Sequence, residues 1–363
     1  MLERGFWFCR PAAAQAGREM NDPERRRLVP PLLARGVCLL AILSLCACSA
    51  EVRPVDYSES KTAHVARDEV AIRAELAPAS EILATARMGD RLEILERRRG
   101  SVRVRSAEDV EGWTGAYALV TAETKRRMDR LKERYAGLTS QGKVHALDVL
   151  NVHLDPERES ETIYQLEEDE AAELLARRLT IDGERQEGWS LIRLATGHAG
   201  WVLETRVYSG IPVEVAQYAE GRRIVAYFAL GEIADASLGE NKTTWLWTQS
   251  PGRNSDVDFD RIRVFRWNTR AQAYHTVKLE TGLRGYLPVT VRPSSGDASA
   301  QFDVIVEKDG EFFKRSYELT GARVNLIEET PTERVVVELE EPRPVIEETK
   351  PPSMLERLLP WWR

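Results

Sequence analysis

The chain has four cysteines, Cys9, Cys38, Cys46 and Cys48, and none beyond residue 48. Cys46-Ala47-Cys48 has the look of a metal or redox pair, but a metal site needs further Cys or His ligands at suitable spacing. The five histidines, His64, His145, His153, His198 and His275, are scattered, and none stands in a His-x-x-His or His-Glu-x-x-His pattern. A cysteine nucleophile is missing from the rest of the chain, as are a Gly-x-Ser-x-Gly elbow and a glycine-rich phosphate loop. The acidic cluster Asp256-Val257-Asp258-Phe259-Asp260 begins like a calcium loop but lacks its glycine at the sixth position and its glutamate at the twelfth. Alternate carboxylates on the solvent face of a strand explain it better. These residues predict a non-enzymatic protein with no catalytic residue, no metal and no cofactor. The remaining route to an enzyme is an acid/base pair assembled in space from Asp256, Asp258, Asp260 and His275.

The cysteine pair closes an apolar run, Val37 to Leu45, that follows Arg25, Arg26, Arg27 and Arg35. That run is far shorter than the roughly 20 residues of a membrane helix. A basic stretch, a short apolar stretch and small residues at its end read as a secretory signal. Its last four residues, Leu45-Cys46-Ala47-Cys48, resemble the bacterial lipobox. The resemblance implies cleavage after Ala47 and a diacylglyceryl anchor on Cys48, although Cys46 stands where Ala or Ser is commoner. An ordinary secretory signal is the alternative. Residues 1–47 are therefore expected to be a signal peptide, with Met20 as an alternative start, and 48–61 a linker. Ser49, rather than an Asp after the modified cysteine, implies the periplasmic face of an outer membrane.

The net charge is -7, and residues 1–47 hold seven Lys/Arg and four Asp/Glu, so the remainder stands at -10. This balance argues against nucleic acid, and against anionic polymers, as the main ligand. No Lys/Arg run stands with interleaved aromatics. The length after the signal allows two or three domains.

An internal repeat organises that length. Residues 70–98 align without a gap to residues 150–178, so that Ser80, Glu81, Glu93, Leu95 and Arg97-Arg98 recur as Ser160, Glu161, Glu173, Leu175 and Arg177-Arg178. After an insertion, residues 100–113 align with 188–201, and Gly100, Arg105, Gly112 and Trp113 match Gly188, Arg193, Gly200 and Trp201. Apolar residues alternate in each copy, as Val70 with Ile72 and Val102 with Val104, which predicts short strands. A helix over LEEDEAAELLARR is the weaker alternative in the second copy.

The order of these pieces, "VAIR", "APAS", "MGDRLEIL", "SVRV" and "GWTGAYAL", then "LNVH", "EDEAAELL", "WSLI" and "GWVLETRV", resembles the bacterial SH3-type domain (SH3b). The first copy departs at Ser101, where the family often carries Trp, and the second at Asp169, where a turn Gly is usual. The resemblance implies small barrels over residues 62–120 and 143–208 that bind peptides through aromatic grooves. The groove candidates are Tyr117, Tyr164, Trp189 and Trp201, with Trp113; the Trp of each "GW" pair also reads as barrel core. The implied partner is peptidoglycan, through its peptide stems, or alternatively a strand or Pro-rich segment of an envelope protein.

Residues 121–142 read as a helical connector, with Met128, Leu131, Tyr135 and Leu138 on one stripe. Residues 209–328 read as a β-sandwich or barrel, with a hairpin at Asp309-Gly310. The tail, 329–363, is rich in Glu, Pro and Thr and reads as an extended linker. Its apolar end, with Trp361 and Trp362, suits a membrane interface, a partner's groove or a fold-back onto the protein. The expected fold class is mainly β: two SH3-like barrels joined by a helix, then a C-terminal β domain.

Overall fold

Strand alternation builds the first sheet. The computed structural model describes residues 61–182, 185–252, 255–294 and 299–339; the signal segment, Cys48, the expected linker up to residue 60 and Trp361-Trp362 lie outside them. Strands β1 (Thr62–Val65), β2 (Glu69–Arg73), β3 (Ile82–Arg87), β4 (Arg91–Arg98), β5 (Ser101–Arg105), β6 (Glu111–Gly115) and β7 (Leu119–Val120) form one antiparallel sheet in the order β3-β2-β6-β5-β4-β1-β7. It curls around a core of its own that includes Val65, Ile72, Leu92, Val104 and Leu119. This unit is called barrel 1.

Barrel 2 repeats the design. Strands β8 (Lys143–Ala146), β9 (Leu150–His153), β10 (Thr162–Leu166), β11 (Ala171–Asp182), β12 (Arg185–Arg193), β13 (Ala199–Leu203) and β14 (Val207–Ser209) take the order β10-β9-β13-β12-β11-β8-β14. Each strand has its counterpart seven places on, so the sequence repeat is a repeat of topology. The helix formers of LEEDEAAELLARR yield to the sheet, because Ala172 and Leu174 alternate inward from β11. The shared "GW" glycine has a packing cause. A Cβ on Gly112 would stand 2.7 Å from Ile72 Cγ2, and one on Gly200 would stand 2.5 Å from Val152 Cγ1, the same neighbour in each copy. The turn before β4 and β11 needs a left-handed residue, supplied by Gly89 (φ 89°) and by Asp169 (φ 61°), a residue type that tolerates that region.

Helix α1 (Ala122–Tyr135) joins the two barrels. The Thr121 hydroxyl caps it by accepting from the Thr124 amide, and Met128, Leu131 and Tyr135 are buried along one stripe. No helix among the described residues is long and apolar enough to cross a membrane.

A four-residue helical turn, α2 (Val213–Ala216), precedes a seven-stranded meander. Its strands are β15 (Ile224–Asp235), β16 (Glu240–Gln249), β17 (Phe259–Asn268), β18 (Ala273–Arg292), β19 (Ala300–Lys308), β20 (Glu311–Thr320) and β21 (Arg323–Thr332), paired in chain order. Asp309 and Gly310, both at positive φ, turn the β19–β20 hairpin. The expected sandwich or barrel takes the form of a half-barrel, a single curled sheet. Its apolar face is covered by sharing one core with barrel 2: Val264, Phe302 and Tyr317 belong to the same cluster as Leu191, Trp201 and Met128. The expected tail boundary at 329 also moves. β21 runs to Thr332, and Val337 and Leu339 pack against the shared core.

Candidate functional site

On the outer face of barrel 1, Arg103, Trp113 and Arg73 lie side by side across β5, β6 and β2, and Ile82 of β3 continues the row. Trp113 is half-buried. The Arg98 guanidinium sits over its ring, 5.1 Å from the centroid. Arg98 pairs with Glu96 at 2.8 Å and Arg103 with Glu111 at 2.9 Å, while Arg73 donates to the Ser80 carbonyl at 2.8 Å. Arg105 fixes Glu111 with a second hydrogen bond and holds its carboxyl below the usual carboxylate range. Leu76, Ile82 and Leu83 are exposed beside this row, and β3 is an edge strand.

The same face of barrel 2 is closed. There Leu191, Trp201 and His153 form the row. Leu191 and Trp201 are 0% exposed, as is Trp189, which meets His153 edge-on at 5.6 Å. Two covers explain this. Arg193, the counterpart of Arg105, donates to the carbonyls of Tyr135 and Leu138 at 2.9 Å each, fixing the end of α1 over the face. Arg178, the counterpart of Arg98, donates to the Val337 carbonyl at 3.0 Å, and the Tyr135 hydroxyl donates to the Glu338 carbonyl at 3.0 Å. The segment after β21 is thereby strapped down. Burial pushes the His153 imidazole pKa down. Trp189 and Trp201 are thus barrel core, and their expected role as ligand platforms is withdrawn.

Tyr117 and Tyr164 are brought together, but around a side chain of the protein itself. The Arg67 guanidinium lies 5.0 Å from the Tyr117 ring and 5.6 Å from the Tyr164 ring, one ring from each barrel. Arg67 also reaches Glu167 at 3.3 Å. The Tyr164 hydroxyl donates to Glu170 at 3.0 Å, and burial raises its pKa. Tyr117 stays 61% exposed. The pair marks a joint between barrels, with only its Tyr117 side open to solvent.

The acidic cluster does not line one solvent face. Asp256 pairs with Arg284, Asp260 with Arg222, and Asp258 with Arg177 at 3.1 Å. Arg177 and Asp258 are buried, and Arg177 also binds Glu204 at 2.8 Å, so the three carboxylates serve three arginines. No group of three or more His, Cys, Asp or Glu side chains is arranged to hold a metal among the described residues. A cavity of about 490 Å³ remains between β11, the Gly137–Thr139 turn and residues 334–337, with Arg177 and Asp258 in its wall. Those two charges already hold each other there.

Sequence reading found Trp113 and passed over Arg98, Arg103 and Arg73. The recurrence of Arg97-Arg98 as Arg177-Arg178 was the available signal. The aromatic and the arginines meet across strands, so no run of sequence interleaves them.

No family model matches the chain, and no curated protein matches it. Among solved structures it is similar to a NlpC/P60 family protein from Bacillus cereus ATCC 10987, at 12% identity and a TM-score of 0.17, over 47% of this chain and 65% of that one. The match spans less than two thirds of that protein's length. NlpC1 and NlpC2 from Trichomonas vaginalis align at 9% and 10% identity, over 61% and 75% of this chain and 87% and 95% of theirs, with TM-scores of 0.15 and 0.16. Likeness at this level assigns neither fold nor activity.

Proposed function

We propose that this is a lipid-anchored, non-enzymatic protein of the cell envelope whose barrel 1 binds peptide stems of peptidoglycan. The observation that carries the reading is the contrast between two copies of one face: covered in barrel 2, open and aromatic in barrel 1. Peptide binding by small barrels uses such a face, and the SH3-type resemblance supplies the wall as ligand. The mechanism is tethering, with Cys48 carrying the lipid and Ser49 favouring the periplasmic side of the outer membrane. Barrel 2 then acts as a scaffold for α1 and the C-terminal sheet, so the protein binds through one module and gains no avidity from the second.

Purified, protein-free sacculi test this. Wild type should sediment with them and Trp113→Ala should stay in the supernatant; equal sedimentation of both removes barrel 1 from the reading. Intact mass and detergent partition of wild type beside Cys48→Ala test the anchor. An unmodified wild type in the aqueous phase would leave a periplasmic binder without a tether. A second reading, a strand or Pro-rich segment of an envelope protein as ligand, is favoured by β3, an edge strand among the described residues, with Ile82 and Leu83 exposed. Retention only on sacculi that keep their bound proteins would select it.

A further inference from the structure

We infer that barrel 1 recognises the free carboxylates of a peptide stem, through Arg98, which lies over the Trp113 ring, and Arg103, which lies beside it. The inference rests on the wall-binding reading above and names the chemistry of that site. Its template lies within the chain. Arg178 occupies in barrel 2 the place of Arg98, and it donates to the backbone carbonyl of Val337, in the segment that follows β21 and packs against the shared core. The position holds a peptide carbonyl of a segment from elsewhere in the chain. In barrel 1 that position is open, and the floor beneath it has changed character. Leu191 of barrel 2 is Arg103, Trp189 is Ser101, and His153 is Arg73. An apolar floor for an internal segment has become a cationic one with a single aromatic centre.

Charge complementarity fixes the sign of the ligand. Arg97, Arg98 and Arg99 are all exposed at the tip of the β4–β5 hairpin, on a chain whose net charge is -7. Four carboxylates answer the arginines here: Glu96 pairs with Arg98, Glu111 with Arg103 and Arg105, and Glu93 and Asp109 with Arg105. The Arg98 and Arg103 side chains are 57% and 43% exposed, and ion pairs this open are held weakly. A ligand carboxylate can replace Glu96 or Glu111 and gain a planar two-point contact with a guanidinium. A peptide plane or aliphatic side chain then lies against Trp113.

Sacculi whose free carboxyls are converted to amides with carbodiimide and methylamine provide the test. The detergent-solubilised mature protein should be retained on untreated protein-free sacculi and about tenfold less on amidated ones. Arg98→Ala with Arg103→Ala should lower retention on untreated sacculi by a similar factor, while Arg323→Ala, an exposed arginine on β21, should leave it unchanged. Thermal unfolding of the double variant at the wild-type midpoint shows that the fold is kept. Equal retention on untreated and amidated sacculi overturns the carboxylate inference and leaves wall binding standing. Retention on neither overturns both, and retention only where envelope proteins remain moves the site to the protein-ligand reading and overturns this one.

Discussion

Trp113 and Trp201 hold the same position in two sheets of identical strand order, yet Trp201 is fully buried and Trp113 stays half open under Arg98. One residue is packing and the other is surface. Trp201→Ala should therefore destabilise by about 3–5 kcal/mol, the cost of emptying a large core site. Trp113→Ala should cost about 1–2 kcal/mol, from partial burial and the cation–π contact. Urea unfolding compares them directly, and similar losses would place Trp113 in the core.

Arg67 is the joint between the barrels, with its guanidinium between Tyr117 and Tyr164 and its side chain only 18% exposed. Arg67→Ala should cost about 1–2 kcal/mol. It should also speed amide exchange along β10, where Arg67 reaches the Gln165 carbonyl. Arg67→Lys keeps the charge but loses the flat stacking group, so it should restore only part of the protection. Unchanged exchange in Arg67→Ala would show that the joint is held elsewhere.

The repeat was legible because each copy carries the same local necessities. Gly112 and Gly200 allow the same close approach, and Val102 and Val104 alternate as a strand must. What covers each copy was not legible. Whether Trp201 is core or platform depends on α1 and on Val337, which lies 136 positions further along the chain. Strand periodicity carries no record of such a cover. The acidic cluster misled for a related reason. Spacing makes Asp256, Asp258 and Asp260 look equivalent, but the partners that distinguish them, Arg284, Arg177 and Arg222, come from three other elements. The tail's composition argued for a solvated linker, and Val335 and Val336 are indeed exposed, but Val337 and Leu339 pack against the shared core.

Arg177 ties barrel 2 to the C-terminal sheet through Asp258, which also accepts from the Leu287 amide at 2.9 Å. Removing Asp258 leaves the buried Arg177 with Glu204 but short of one carboxylate, and takes the acceptor from the buried Leu287 amide. Asp258→Ala should cost about 3–5 kcal/mol. Because barrel 2 and the C-terminal sheet share one core, to which barrel 1 adds Ala66 and Val120 while the rest of it packs on a core of its own, the loss should appear chiefly in a transition common to the first two. Hydrogen exchange resolved by segment can follow this. If barrel 1 lost protection equally, the two cores would be one cooperative unit.

Two histidines set a pH dependence on the same architecture. Burial lowers the pKa of His153, against the backbone carbonyl of Ser160, and of His198, where Lys132 adds to burial and Asp129 opposes it. Both fall below the usual 6.5, so in the interval beneath it the unfolded chain binds protons that the folded chain refuses. Stability is fully present above that value and is lost as pH falls through the lowered folded values. Glu161 acts with the opposite sign. Burial raises its pKa above the usual 4.5 despite the Thr124 hydroxyl, so it takes up its proton earlier when folded and offsets part of the loss at lower pH. The melting temperature should thus drop by a few degrees between about pH 7.5 and about pH 5.5. His153→Gln with His198→Gln should flatten that slope while leaving the slope below the carboxylate range in place. A melting temperature that held steady or rose over the interval would mean that both imidazoles accept protons in the folded protein, and that the covers over barrel 2 open to water.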